Sequence, residues 1–160
     1  MTNVSLALGE MAPDFSLPST CKKEITLSKL KGSKVILYFY PKDHTTGCTL
    51  EAVDFSKLKD DFDQESAIII GISPDSIASH EKFYQKHNLS IILISDESKN
   101  TLKAYGVWKE KSMFGKKYMG INRTTFLINE QGIISQIWNP VKLKNHARDV
   151  LNYVKSLSRK

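Results

Sequence analysis

Apolar residues fall along this chain in two alternating rhythms, continuous runs of five to seven positions and clusters that repeat every three or four. Residues 34–40 and 67–72 are nearly unbroken in Val, Ile, Leu, Phe and Tyr, the mark of strands buried on both faces. Between them, Ala52, Phe55, Leu58 and Phe62 recur at spacings of three and four and predict one amphipathic helix with Cys48 in its first turn. Residues 77–87 predict a further helix, 91–95 a short strand and 98–105 a short helix. Residues 124–128 and 133–138 read as strands joined by Asn129-Glu130-Gln131-Gly132, whose length and final glycine suit a hairpin. A last helix buries Leu143, Ala147, Val150, Leu151, Val154 and Leu157. Near the start, residues 15–17 and 24–27 predict an opening hairpin, and Pro41, Pro74 and Pro140 stand where strands end. Strands alternating with helices and closing on a hairpin indicate an α/β fold, a central mixed sheet flanked by helices, in one domain over residues 1–160.

Composition agrees with one packed core, since 41% of the residues are hydrophobic and 25% charged, and no linker or repeat divides them. Residues 1–11 have neither a basic region nor an apolar core of a signal peptide, and no run approaches the roughly 20 apolar residues that span a bilayer. A cytoplasmic protein with no membrane partner is the expectation. The net charge is +6, densest at Lys109, Lys111, Lys116 and Lys117 and again from Lys142 to the C-terminus. No helix-turn-helix, zinc or RNA-binding signature accompanies these lysines, so they read as solvated faces able to attract acidic protein partners, and no nucleic acid is expected. His80, His87 and His146 form no grouping with the two cysteines, and neither metal nor cofactor is predicted. Trp108 and Trp138 read as packing residues.

Cys48 changes the picture from fold to chemistry. It lies in Tyr40-Pro41-Lys42-Asp43-His44-Thr45-Thr46-Gly47-Cys48, where a buried strand ends and a helix begins, among polar and turn residues rather than apolar ones. Unpaired N–H groups and the positive dipole end of a helix stabilise a thiolate there, and Thr45 or Thr46 is placed to cap the helix. Asp43 and His44 read as polar loop residues, with His44 an exposed spacer.

The spacing Pro41-x-x-x-Thr45-x-x-Cys48 resembles the peroxidatic motif of peroxiredoxins. Tyr105-Gly106-Val107-Trp108, the lysine-rich stretch 109–120 and Arg123-Thr124-Thr125-Phe126-Leu127-Ile128 are similar to the bacterioferritin comigratory, or Q-type, subfamily. The likeness runs from about Gly9 to about Tyr153, and it implies a thioredoxin-like fold that reduces hydrogen peroxide and organic hydroperoxides. On that reading Cys48 is the nucleophile and Arg123, a permanent cation with a fork of donors, holds the thiolate and steadies the peroxide oxygens. The Thr45 hydroxyl donates to one peroxide oxygen, Pro41 shapes and shields the loop, Gly47 contributes backbone to it, and Glu51 orients Arg123 from one turn along the helix. Thioredoxin, glutaredoxin or glutathione is the implied reductant, and the subfamily resemblance suggests a monomer, with a dimer as the alternative.

Two positions depart from that pattern. Thr46 stands where the family usually has proline, and Val53 stands where many members carry a resolving cysteine. The remaining thiol is Cys21, at the tip of the predicted opening hairpin, so a one-cysteine cycle with an external thiol is favoured over a resolving Cys21. A disulfide reductase of the Cys-x-x-Cys kind is disfavoured by Glu51 at the second cysteine's place. A peroxide sensor or holdase would use the same thiol without rapid turnover.

Overall fold

The computed structural model describes residues 6–158. Nine strands are present among them: β1 (Ser16–Pro18), β2 (Glu24–Thr26), β3 (Lys34–Phe39), β4 (Ala67–Ser73), β5 (Ile92–Ser95), β6 (Trp108–Met113), β7 (Lys116–Ile121), β8 (Thr124–Ile128) and β9 (Ile134–Trp138). Five α-helices accompany them: α1 (Thr46–Lys57), α2 (Lys59–Gln64), α3 (Ile77–Lys86), α4 (Asn100–Ala104) and α5 (His146–Leu157). The central sheet runs β5-β4-β3-β8-β9. β3, β4 and β5 are parallel, while β8 lies antiparallel to β3 and β9 antiparallel to β8, so the sheet is mixed as the pattern predicts.

Alternation along β3 builds both layers of the molecule. Ile36 and Tyr38, with Tyr40 just beyond the strand, point into the cluster that holds Phe55, Phe83, Val150 and Val154 from α1, α3 and α5. Val35, Leu37 and Phe39 point into the opposite cluster, against Phe15, Ile25, Leu102 and Tyr105 from the opening hairpin, α4 and the loop after it. Both faces of the strand are therefore dry, which is why its sequence is a continuous apolar run. Gly71 on β4 lies across from Tyr38, and a Cβ there would sit 2.7 Å from the Tyr38 ring and 2.9 Å from Leu93. Only a residue without a side chain lets Tyr38 cross the neighbouring strand.

Four elements differ from the sequence pattern. The predicted first helix breaks at Leu58, whose backbone (φ −101°, ψ 6°) ends α1 and turns the chain into α2. Apolar spacing is blind to this break, because Phe55 and Phe62 stay buried on both sides of it. The opening hairpin is short, and residues 27–30 form a 3-10 turn instead of continuing the strand. Residue Leu143 precedes α5 rather than belonging to it. Lastly, residues 108–121 form a hairpin of β6 and β7 turned at Phe114 and Gly115, both with positive φ. Its side chains are largely exposed, with Phe114 at 97%, so no buried face imposes the alternation that marks a strand.

Candidate active site

β3 delivers the chain to the site. The Tyr40 N–H still donates to the Ile72 carbonyl at 3.0 Å, but Pro41 has no N–H and pairing stops there. After a short turn, in which His44 takes a positive φ of 65°, the chain enters α1. Cys48 occupies the first turn of that helix and is 1% exposed.

Arg123 reaches Cys48 through the sheet rather than along the chain. β8 pairs with β3 so that Thr124 lies opposite Phe39, which puts Arg123, one residue earlier, beside the loop leading to α1. Its Nη2 donates to Cys48 Sγ at 3.4 Å and its Nη1 donates to Glu51 Oε1 at 2.7 Å. Gly47 lies beside this contact: a Cβ there would approach Leu143 Cδ1 tightly, at 3.0 Å, and lie at ordinary contact distance, 3.4 Å, from Arg123 Nη2. The fork of the guanidinium thus spans two residues on successive turns of one helix.

The electrostatics of this trio follow from burial. Glu51 is 2% exposed and its Oε2 has no hydrogen-bond partner among the described residues. Burial pushes its carboxyl up to about 7, with the charge and hydrogen bond of Arg123 pulling part of the way back. Burial works against the charge on Arg123 too, but Glu51 and Cys48 beside it outweigh burial and hold its proton more firmly than usual. Arg123 therefore stays a cation while the charge of its carboxylate partner varies near neutral pH.

The Thr45 hydroxyl donates to the Lys42 carbonyl at 2.9 Å and makes no side-chain cap on α1, although its backbone stands at the N-cap position. Thr45 is exposed, and Thr46, the other candidate cap, is the first residue of α1 itself. Pro41 is half-buried at the start of the same turn.

Asp43, a polar loop residue by its sequence, is 3% exposed, and its carboxylate accepts from Tyr40 Oη at 2.6 Å, Ser79 Oγ at 2.8 Å and His80 Nδ1 at 2.6 Å. Burial raises its carboxyl, but hydrogen bonds and charge from His80, with those from Tyr40 and Ser79, prevail and hold it below the usual carboxylate range. Asp43, Asp75 and His80 each bring a ligand-type atom within 4.8 Å of the others, a grouping that separations of more than 30 positions hide in the sequence. The 2.6 Å between Asp43 Oδ2 and His80 Nδ1 is a hydrogen-bond distance. His44, by contrast, is exposed as expected and packs edge-on against Phe83.

Cys21 is exposed, with its Sγ 2.8 Å from Ser19 Oγ. Thr20 N–H donates to the Leu93 carbonyl at 3.0 Å, and Ser19 bridges Ile94, so this tip runs along the outer edge of β5. Two strands, β5 and β4, lie between this tip and β3, the strand that leads to the Cys48 turn.

Comparison with known proteins places this geometry. Residues 8–137 match the AhpC/TSA family. The chain is 44% identical over 157 residues to the peroxiredoxin Bcp of Bacillus subtilis, covering 98% of this chain and 100% of that one. It is 38% identical to the peroxiredoxin Bcp of Escherichia coli, covering 94% and 96% respectively. The structure of Xanthomonas campestris peroxiredoxin Q superposes with a TM-score of 0.88 at 39% identity, over 97% of this chain and 98% of that one. A second structure of the Xanthomonas bacterioferritin comigratory protein, a trapped intermediate/ligand complex bearing on its alkyl peroxide reduction activity, gives 0.87. With a thiol buried at a helix start under an arginine, a thioredoxin-type mixed sheet and relatives matched along nearly their whole length, the chain belongs to the AhpC/TSA family, among the Bcp or Q-type peroxiredoxins, which are thiol-dependent peroxidases.

Proposed function

We propose that this protein reduces hydrogen peroxide and organic hydroperoxides with Cys48 as the attacking sulfur and an external thiol as the reductant. The observation that carries the reading is the guanidinium of Arg123, which donates at once to Cys48 Sγ and to Glu51. One arm of the fork on the sulfur and the other on Glu51 fix a permanent cation where negative charge builds as the O–O bond breaks. The Cys48 thiolate attacks the terminal oxygen of ROOH, the S–O bond forms as O–O breaks, and the departing RO⁻ takes up a proton to leave as ROH. The Thr45 hydroxyl, the α1 N–H groups and Pro41 complete the pocket in this reading, the first two by hydrogen bonding to the peroxide and the last by shielding it.

The product, a Cys48 sulfenic acid, is attacked by a thiol with loss of water, and a second thiol releases the resulting mixed disulfide as a free disulfide and reduced Cys48. Thioredoxin, glutaredoxin and glutathione have the chemistry for these two steps. Cys21 is unsuited to the first, because the sheet separates it from α1. The alkyl peroxide reduction described for the Xanthomonas relative supports organic hydroperoxides as substrates. Replacing Cys48 by Ser tests the assignment: peroxide consumption in the presence of reductant is expected to vanish while the circular dichroism spectrum is unchanged, and retained turnover would remove Cys48 from the reaction.

A further inference from the structure

The chemistry just described makes no use of the most densely bonded buried cluster near Cys48, the one centred on Asp43 and His80. His80 is fully buried, and its Nε2 faces the Ile94 carbonyl at 2.8 Å while its Nδ1 faces Asp43 Oδ2 at 2.6 Å. A carbonyl oxygen only accepts, so Nε2 carries a hydrogen, and the short contact on the other side holds one more proton between the ring and the carboxylate. The cluster does not stop there. The Asp43 N–H donates to Asp75 Oδ2 at 2.7 Å, and the same oxygen accepts from Ser73 Oγ at 2.8 Å. Through one residue, the turn that leads to Cys48 is thereby tied to the end of β3, to the β4–α3 loop, to the first turns of α3 and, by way of His80, to β5.

That turn has to satisfy two opposed demands. A small peroxide can reach a sulfur that is 1% exposed, whereas a larger thiol must approach along the S–O axis and needs the segment around Cys48 to move. We propose that Asp43 and His80 are a positioning pair that seats the Cys48 turn on α3, so that the strength of this one contact sets how often the Cys48 sulfur becomes accessible to large reagents. The proposal rests on Cys48 as the reacting thiol for its consequence in turnover, but the seating itself is read without peroxide. Asp43 lies five residues before Cys48 on the chain, and it carries every side-chain bond from this turn to α3 that the described residues show.

The test uses the full-length chain in a Cys21→Ser background, where Cys48 is the one thiol left. Two rates are measured, alkylation of Cys48 by a bulky maleimide and single-turnover oxidation of Cys48 by hydrogen peroxide. In Asp43→Ala, alkylation is expected to accelerate at least ~10-fold and oxidation to slow at least ~10-fold, the signature of a shifted closed-to-open population. Asp43→Asn is expected to restore both rates to within about threefold, because its amide can donate to Nδ1 of a neutral imidazole whose Nε2 still donates to Ile94. General loosening of the core would not be rescued by that change. If Asp43→Ala does not fold, Ser79→Ala removes a single donor from the carboxylate and is expected to accelerate alkylation about threefold. Unchanged alkylation in these variants, or an Asp43→Asn protein as impaired as Asp43→Ala, would overturn the proposal. A parent protein inert to peroxide would instead overturn the peroxidase reading and leave the alkylation comparison to decide the pair.

Discussion

Arg123 Nη2 lies 3.4 Å from Cys48 Sγ although 75 positions separate the two residues in the chain. The β3–β8 register closes that gap, and a one-residue slip would turn Arg123 to the other face of the sheet. With its other nitrogen on Glu51 at 2.7 Å, the guanidinium is held by a planar two-point contact.

Lysine at this position keeps a charge but loses the fork, so it cannot hold Glu51 and Cys48 together. For Arg123→Lys, the second-order rate of Cys48 with hydrogen peroxide is expected to fall at least ~10-fold, corresponding to ~1.4 kcal/mol of transition-state stabilisation. Stopped-flow oxidation kinetics decide this, and a rate equal to that of the parent would place Arg123 outside the reaction.

Glu51 carries a consequence for stability. Its carboxyl rises from 4.5 to about 7 on folding, so the folded protein binds this proton more tightly than the unfolded chain does. The penalty is absent below about pH 4.5, grows through the interval up to about pH 7, and is complete above it, amounting to about 3 kcal/mol. Urea denaturation of the parent and of Glu51→Gln at pH 4.5 and pH 8 isolates the effect. The parent's stability relative to the variant is expected to drop by that order between the two values, and a constant difference would refute it.

His146 acts in the opposite direction. Burial, assisted by the charge of Arg123 and resisted by Asp149, lowers its imidazole from 6.5 to about 4, and Thr125 Oγ1 lies 2.8 Å from its Nε2. A histidine depressed on folding stabilises the protein above pH 6.5, and that contribution is lost as pH falls toward about 4, by at most about 3 kcal/mol. Replacing it with Gln is therefore expected to flatten the fall in thermal midpoint between pH 6.5 and pH 4. An equally steep fall in the variant would exclude His146 as its source.

Cys21 supplies the control for the thiol cycle. Because the β5 edge holds its segment away from α1, Cys21→Ser is expected to keep most of the turnover with an added thiol reductant. Mass spectrometry after one equivalent of peroxide should find a Cys48 sulfenate or mixed disulfide. A stoichiometric internal disulfide together with lost turnover in the variant would show that the sheet edge opens.

Local patterning carries a good part of this protein. The dry strands β3 and β4, the amphipathic stripe of α5 and the strand-to-helix turn bearing Cys48 are all visible in contiguous residues, because period and turn chemistry are properties of neighbours. The hairpin of β6 and β7 escapes that logic, since a ribbon exposed on both faces has no apolar period to display. The break at Leu58 escapes it as well, because its flanking aromatics remain buried through the bend. Around Cys48 the limit is sharper. Asp43 reads as a polar loop residue until α3 folds His80 against it, and the sequence places Glu51 near Arg123 without showing that packing leaves one of its oxygens without a partner among the described residues. Burial and pairing depend on which distant segment lies opposite, and that is set by strand register and helix packing rather than by any window of sequence.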